Sequence, residues 1–144
     1  MGKPLFTKEE QQQIVDAIKL AEQNTSGEIR IHIEKRCKGD ALHEAVKNFG
    51  KLKMHKTTQR NGVLFYFAYE DRKFAIYGDE GINNKVPNDF WDKIKDDMQA
   101  SFKRGNFLEA ICQGIEAAGK QLKFYFPYDT DDQNELSDDI SFGG

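Results

Sequence analysis

Residues 28–34 read Glu28-Ile29-Arg30-Ile31-His32-Ile33-Glu34. Isoleucine occupies every second position, and a charged or polar side chain stands at each position between. A period of two places all three isoleucines on one face, so the stretch predicts a half-buried β-strand. The next apolar run, Val63 to Tyr69, has no alternation. A strand that is apolar throughout suits a central place in a sheet covered on both sides. Glu70-Asp71-Arg72 then makes a short polar turn, and Lys73 to Tyr77 returns as a third strand, so these two form a hairpin.

Helical patterns surround the strands. Thr7 with Glu10 is a capping box, and Ile14, Ala17, Ile18 and Ala21 follow at helical spacing until Asn24-Thr25-Ser26-Gly27 breaks the pattern. Asp40 is placed to cap a second helix carrying Leu42, Ala45, Val46, Phe49 and Leu52 on one face. A third helix is predicted to open at Pro87 or Asn88, to carry Phe90, Trp91, Ile94, Met98 and Phe102, and to stop at Gly105. Asn106 and Glu109 begin a fourth, with Phe107, Leu108, Ile111, Ile115 and Leu122 on its apolar face. The order α-β-α-β-β-α-α makes the first two strands parallel neighbours and the third antiparallel. The expected fold class is α/β: a three-layer α/β/α sandwich around a small mixed sheet.

The chain has 144 residues, which suits one domain. Its net charge is −3, against the basic balance of a nucleic-acid binder, so no nucleic-acid partner is expected. The longest apolar stretch falls far short of the roughly 20 residues of a membrane helix, so no membrane insertion is expected. No apolar leader follows Met1, which makes the expected location cytoplasmic. Charge is unevenly spread. Residues 129–144 hold six acids and no base, whereas residues 1–128 hold 18 acids and 21 bases. The reading is therefore a domain over residues 1–128 and an acidic tail over 129–144. Leu136, Ile140 and Phe142 leave open whether the tail docks or stays solvated.

Parallel strands begin at the same edge of a sheet, and an antiparallel neighbour ends there. Ser26-Gly27-Glu28, Arg60-Asn61-Gly62 and Gly78-Asp79-Glu80-Gly81 are thus expected on one rim. Glu28, Asp79 and Glu80 offer the oxygen ligands of calcium or magnesium. Arg60, with the backbone amides of Gly62, Gly78 and Gly81, would favour an anion instead. The bland alternative is strand-end turns with a structural Arg60–Asp79 ion pair. On formal charge the rim favours the divalent cation.

Other chemistry is thin. Cys37, among Lys35, Arg36 and Lys38, sits where a thiolate is favoured, but has no His or acid placed beside it; it reads as a strand-end or loop cysteine. Cys112 reads as a small core residue. His32, His43 and His55 lack metal-ligand spacing and read as surface histidines. There is no Cys-x5-Arg loop and no Walker-type loop, and Asp129-Thr130-Asp131-Asp132 lacks a preceding strand to hold its first aspartate.

Thr25-Ser26-Gly27-Glu28-Ile29-Arg30, Arg60-Asn61-Gly62-Val63-Leu64, Asp71-Arg72-Lys73-Phe74-Ala75-Ile76, Gly78-Asp79-Glu80-Gly81-Ile82 and Asp89-Phe90-Trp91 occur in this order. The ordered set, spread from Phe6 to about Phe126, resembles the TPM domain family of thylakoid-lumen, photosystem II repair and levamisole-receptor auxiliary proteins. The resemblance implies an α/β/α sandwich. It also implies a choice between two roles: a non-enzymatic accessory module with a protein partner, such as a membrane protein or complex, or a metal-assisted phosphatase, an activity linked to a plant member. The missing catalytic motifs favour the accessory module. Many relatives carry a signal sequence and a membrane helix after the domain, and neither pattern is present here.

Overall fold

The alternation at residues 28–34 becomes the second element of the chain. The computed structural model describes residues 5–128 and 136–143. In order, these form α1 (Lys8–Glu22), β1 (Glu28–Glu34), α2 (Ala41–Lys51), β2 (Gly62–Ala68), β3 (Lys73–Gly78), α3 (Glu80–Asn83), α4 (Asp92–Lys103), α5 (Phe107–Leu122) and β4 (Ser141–Phe142). The sheet runs β3-β2-β1-β4. β1 and β2 are parallel, in a register that sets Glu28 beside Gly62 and His32 beside Tyr66. β3 returns antiparallel to β2.

The two faces of the sheet explain the layers. Ile29, Ile31, Ile33, Val63, Phe65, Phe67 and Ile76 pack into one continuous core with side chains of α1, α4 and α5. Leu64, Tyr66, Ala68 and Ala75 face the other way and meet Ala45 and Phe49 of α2. Both faces of β2 are covered, as its unbroken apolar run predicts, and all seven of its residues are buried.

Local signals act where expected. Thr7 Oγ1 accepts from the Glu10 amide at 3.1 Å, while Glu10 Oε1 accepts from the Thr7 amide at 2.9 Å. Asp40 accepts from the His43 amide at 3.2 Å. Gly105 follows α4 with φ +81°, the left-handed stop that glycine takes without strain.

Four expectations need correction. The third predicted helix starts later than its sequence suggests: Phe90 and Trp91 lie in turns that follow Pro87, and α4 begins at Asp92. The turn 78–81 continues into α3, a single helical turn that Asp79 caps. His32, expected at the surface, is buried at 4% exposure, whereas Cys37 lies in the loop after β1 as expected. The cause at His32 is β4. Residues 136–143, read as part of the tail, lie along β1 and pair Ser141 with His32 and Phe142 with Ile33 in parallel. Leu136 packs beside Phe49, Met54 and Leu64, and Ile140 packs on the main core. The Asp129-Thr130-Asp131-Asp132 stretch lies outside the described residues. No helix among the described residues is long and apolar enough to cross a membrane.

Candidate functional site

Three turns meet at the edge where β1 and β2 begin and β3 ends. Thr25 and Ser26 close the first: the Ser26 amide donates to the Phe126 carbonyl at 2.9 Å, and the Thr25 hydroxyl donates to that same oxygen. The second turn is tied to the first by Asn61, whose Nδ2 donates to the Ser26 carbonyl at 3.2 Å and whose carbonyl accepts from the Glu28 amide at 3.2 Å. The third is tied to the second twice. The Asp79 amide donates to the Gly62 carbonyl and the Gly81 amide to the Arg60 carbonyl, each at 2.9 Å.

Gly81 is required by the last contact. A Cβ there would stand 2.1 Å from the Gln59 carbonyl oxygen and 2.6 Å from that of Arg60. Arg60 itself has φ +52°, a conformation that favours glycine. Its side chain is pinned at the other end. Nε donates to Asp79 Oδ2 at 2.8 Å, Nη2 to Asp79 Oδ1 at 3.0 Å, and Nη1 to Glu80 Oε1 at 3.0 Å. Asp79 is buried, and its Oδ1 also accepts from the Glu80 amide at 2.8 Å. Hydrogen bonds to the Asp79 carboxylate hold the Arg60 guanidinium above its ordinary range. A forked guanidinium on a carboxylate is a geometrically specific clasp.

The rim thus gathers Ser26, Gly27, Arg60, Asn61, Gly62, Gly78, Asp79, Glu80 and Gly81 on one edge, and Arg60 joins Asp79 to Glu80. Glu28 goes elsewhere. It begins β1, two strands from Asp79 across the sheet, and its buried Oε1 accepts from the Leu136 amide at 2.6 Å. Calcium or magnesium would need Glu28, Asp79 and Glu80 turned toward one point. With both Asp79 oxygens on a guanidinium and Glu28 on a distant amide, the three do not fit such an ion. Among the described residues no group of three or more His, Cys, Asp or Glu is placed to hold one.

Glu22 and the 136–143 segment were not legible as part of this edge. Glu22 ends α1 and accepts from the Ile29 amide at 2.9 Å. Burial, then a hydrogen bond with Asp138, pushes its carboxyl up to about 9. At neutral pH it is therefore protonated, the state in which two carboxyl groups can share a hydrogen bond. The one signal in the sequence was an acid in the last turn of a helix, where the macrodipole disfavours it.

These turns all lie within a stretch of chain that a family model matches. The model described as the TPM domain covers residues 3–121. The chain belongs to the TPM domain family. It is similar to the BA42 protein of the psychrophilic bacterium Bizionia argentinensis, solved by NMR, with 49% identity, TM-score 0.93 and 99% of each chain covered. The N-terminal domain of the cg2496 protein from Corynebacterium glutamicum shares the fold at 11% identity and TM-score 0.65, over 97% of this TPM chain and 81% of that one. The N-terminal domain of a P. gingivalis protein does so at 15% identity and TM-score 0.69, over 85% and 79%. No curated protein matches this TPM chain.

Proposed function

We propose that this TPM domain is a non-enzymatic binding module, an accessory to a protein complex whose partner is a membrane protein. The supporting observation is the state of Asp79. A phosphatase acting at the rim would need a carboxylate free to attack phosphorus or to hold a metal-bound water. Asp79 is instead buried and spends both oxygens on Arg60 and the Glu80 amide. The clasp locks the second and third turns together, Asn61 ties them to the first, and their outer surface is left as a platform.

The test sets this reading against the metal-assisted phosphatase. Hydrolysis of p-nitrophenyl phosphate is followed with magnesium, manganese or calcium in turn, for the wild type and for Asp79→Ala. The accessory reading expects no turnover above buffer with any ion. Metal-dependent turnover lost in Asp79→Ala would overturn it. A second arm crosslinks the tagged domain in solubilised membranes. A single crosslinked membrane protein, displaced by excess untagged domain, is the expected outcome.

A further inference from the structure

A row of polar side chains crosses the α2-facing side of the sheet, away from the rim. His32 lies at its centre, 4% exposed, with both ring nitrogens engaged. Nδ1 stands 2.8 Å from Ser141 Oγ, and Nε2 stands 2.9 Å from Glu34 Oε1. The other oxygen of Glu34 accepts from the Tyr66 hydroxyl at 2.6 Å.

The proton positions follow from the partners. Burial alone would raise the Glu34 carboxyl, but the Tyr66 hydroxyl and the His32 ring hold it below its ordinary range. An ionised carboxylate only accepts, so Nε2 of His32 carries the hydrogen. In the neutral ring Nδ1 is then a lone pair, and the Ser141 hydroxyl must donate to it. The order is hydroxyl, imidazole, carboxylate, each within hydrogen-bond reach of the next. That is the arrangement by which a base activates a serine, here with the two ring nitrogens in exchanged roles. Ser141 is partly exposed on the short edge strand β4. Arg30 lies on the same face of β1, two residues before His32, and its Nε is buried without a hydrogen-bond partner among the described residues.

We propose that Ser141 is an activated nucleophile that accepts an acyl group from an activated carboxylic ester. Ser141 Oγ attacks the ester carbonyl carbon while its proton passes to Nδ1 of His32. The carbon–oxygen bond to the alcohol then breaks, and the imidazolium returns that proton to the departing alkoxide. The products are O-acyl-Ser141 and the free alcohol, with His32 neutral again. Glu34 is a positioning residue: it fixes the ring tautomer and steadies the imidazolium. Tyr66 in turn fixes Glu34. The titratable groups facing the ring are Glu34 of β1 and Tyr66 of β2, which stacks on it at 6.0 Å, while Lys51 of α2 acts on Glu34. This site is independent of the rim and of the accessory role.

The experiment incubates the full chain with 4-nitrophenyl acetate, follows release of 4-nitrophenolate, and maps the acetyl group by tandem mass spectrometry. The expected result is a burst of about one equivalent with the acetyl group on Ser141. Its rate should rise with pH, because a protonated ring offers Ser141 no lone pair on Nδ1. Ser141→Ala should abolish the burst, and His32→Gln should slow it on the order of 100-fold. Glu34→Gln should slow it while shifting the pH profile, which a merely structural role would not do. Acetyl groups confined to lysines in the wild type would overturn the proposal without any variant. So would an undiminished burst in folded Ser141→Ala, or a Ser141 adduct whose rate ignores His32.

Discussion

Gly81 lies so close beneath the Arg60 carbonyl that a methyl group on its Cα would stand 2.6 Å from that oxygen, and 2.1 Å from the Gln59 oxygen. Backbone meets backbone here, so no side-chain rotation relieves the clash. Gly81→Ala should cost about 3 kcal/mol or more. Gly39→Ala, where nothing lies within 4 Å, should be close to neutral. Urea midpoints of the two variants give the comparison, and equal midpoints would contradict the close approach.

Arg60 and Asp79 should behave unequally when separated. Removing Arg60 strands a buried carboxylate, whereas Asp79→Asn leaves a neutral amide opposite an arginine with 40% of its side chain exposed. Arg60→Ala should therefore unfold at lower urea than Asp79→Asn. In an NMR titration with calcium, amides 78–82 should stay unmoved in the wild type, because both Asp79 oxygens are held by Arg60.

Glu22 predicts a slope. Its carboxyl titrates near 9 in the fold against 4.5 as the ordinary value. Between those limits the folded chain holds a proton that the unfolded chain has lost. The stabilisation is fully present below pH 4.5 and declines as pH rises through 9, by at most about 1.4 kcal/mol per pH unit. Glu22→Gln keeps an acceptor for Ile29 and should flatten the decline. Urea unfolding of both proteins at pH 5.5, 7 and 8.5 measures it; parallel slopes would count against a protonated Glu22.

Trp91, the single tryptophan, is 9% exposed and meets the edge of Phe90 at a centroid distance of 4.7 Å. Trp91→Ala should cost about 3–5 kcal/mol. Wild-type emission should be shifted to the blue and move to the red only on unfolding.

Leu136→Ala should cost about 1–2 kcal/mol, the loss expected of a half-buried leucine. The same variant should leave its own amide bond to Glu28 intact, because that bond is made by backbone. Hydrogen exchange at residue 136 tests this: fast exchange in the wild type would mean that the segment does not dock.

Much of this architecture was legible because its signals are periodic. Ile29, Ile31 and Ile33 declare a strand face, and Thr7 with Glu10 declares a helix start. The convergence of Gly27, Gly62 and Gly78 on one edge follows from strand direction alone. The clasp of Arg60 on Asp79 was legible only as one alternative, because residue types give charge and not the direction in which a carboxylate points. His32 was misread for a related reason. Alternation places it opposite the isoleucines, and water is the ordinary occupant of that side. The cover arrives from residues 136–143, a short acidic stretch whose two-residue strand is below any periodic signal. Phe90 and Trp91 fit a helical spacing equally well as a turn, and Pro87 decided between them.

The pairing of β4 with β1 joins Ser141 to His32 across 109 positions of chain. A chain made from its amino end completes β1 early and β4 late. Throughout that interval the outer edge of β1 keeps its hydrogen-bonding groups without their final strand, beside half-covered Glu28 and His32. An open edge of this kind is a template for any extended segment, including the same stretch of another nascent chain. Translation speed over residues 35–140, and the crowding of neighbouring ribosomes on one message, therefore become determinants of how much of this protein reaches the fold described above.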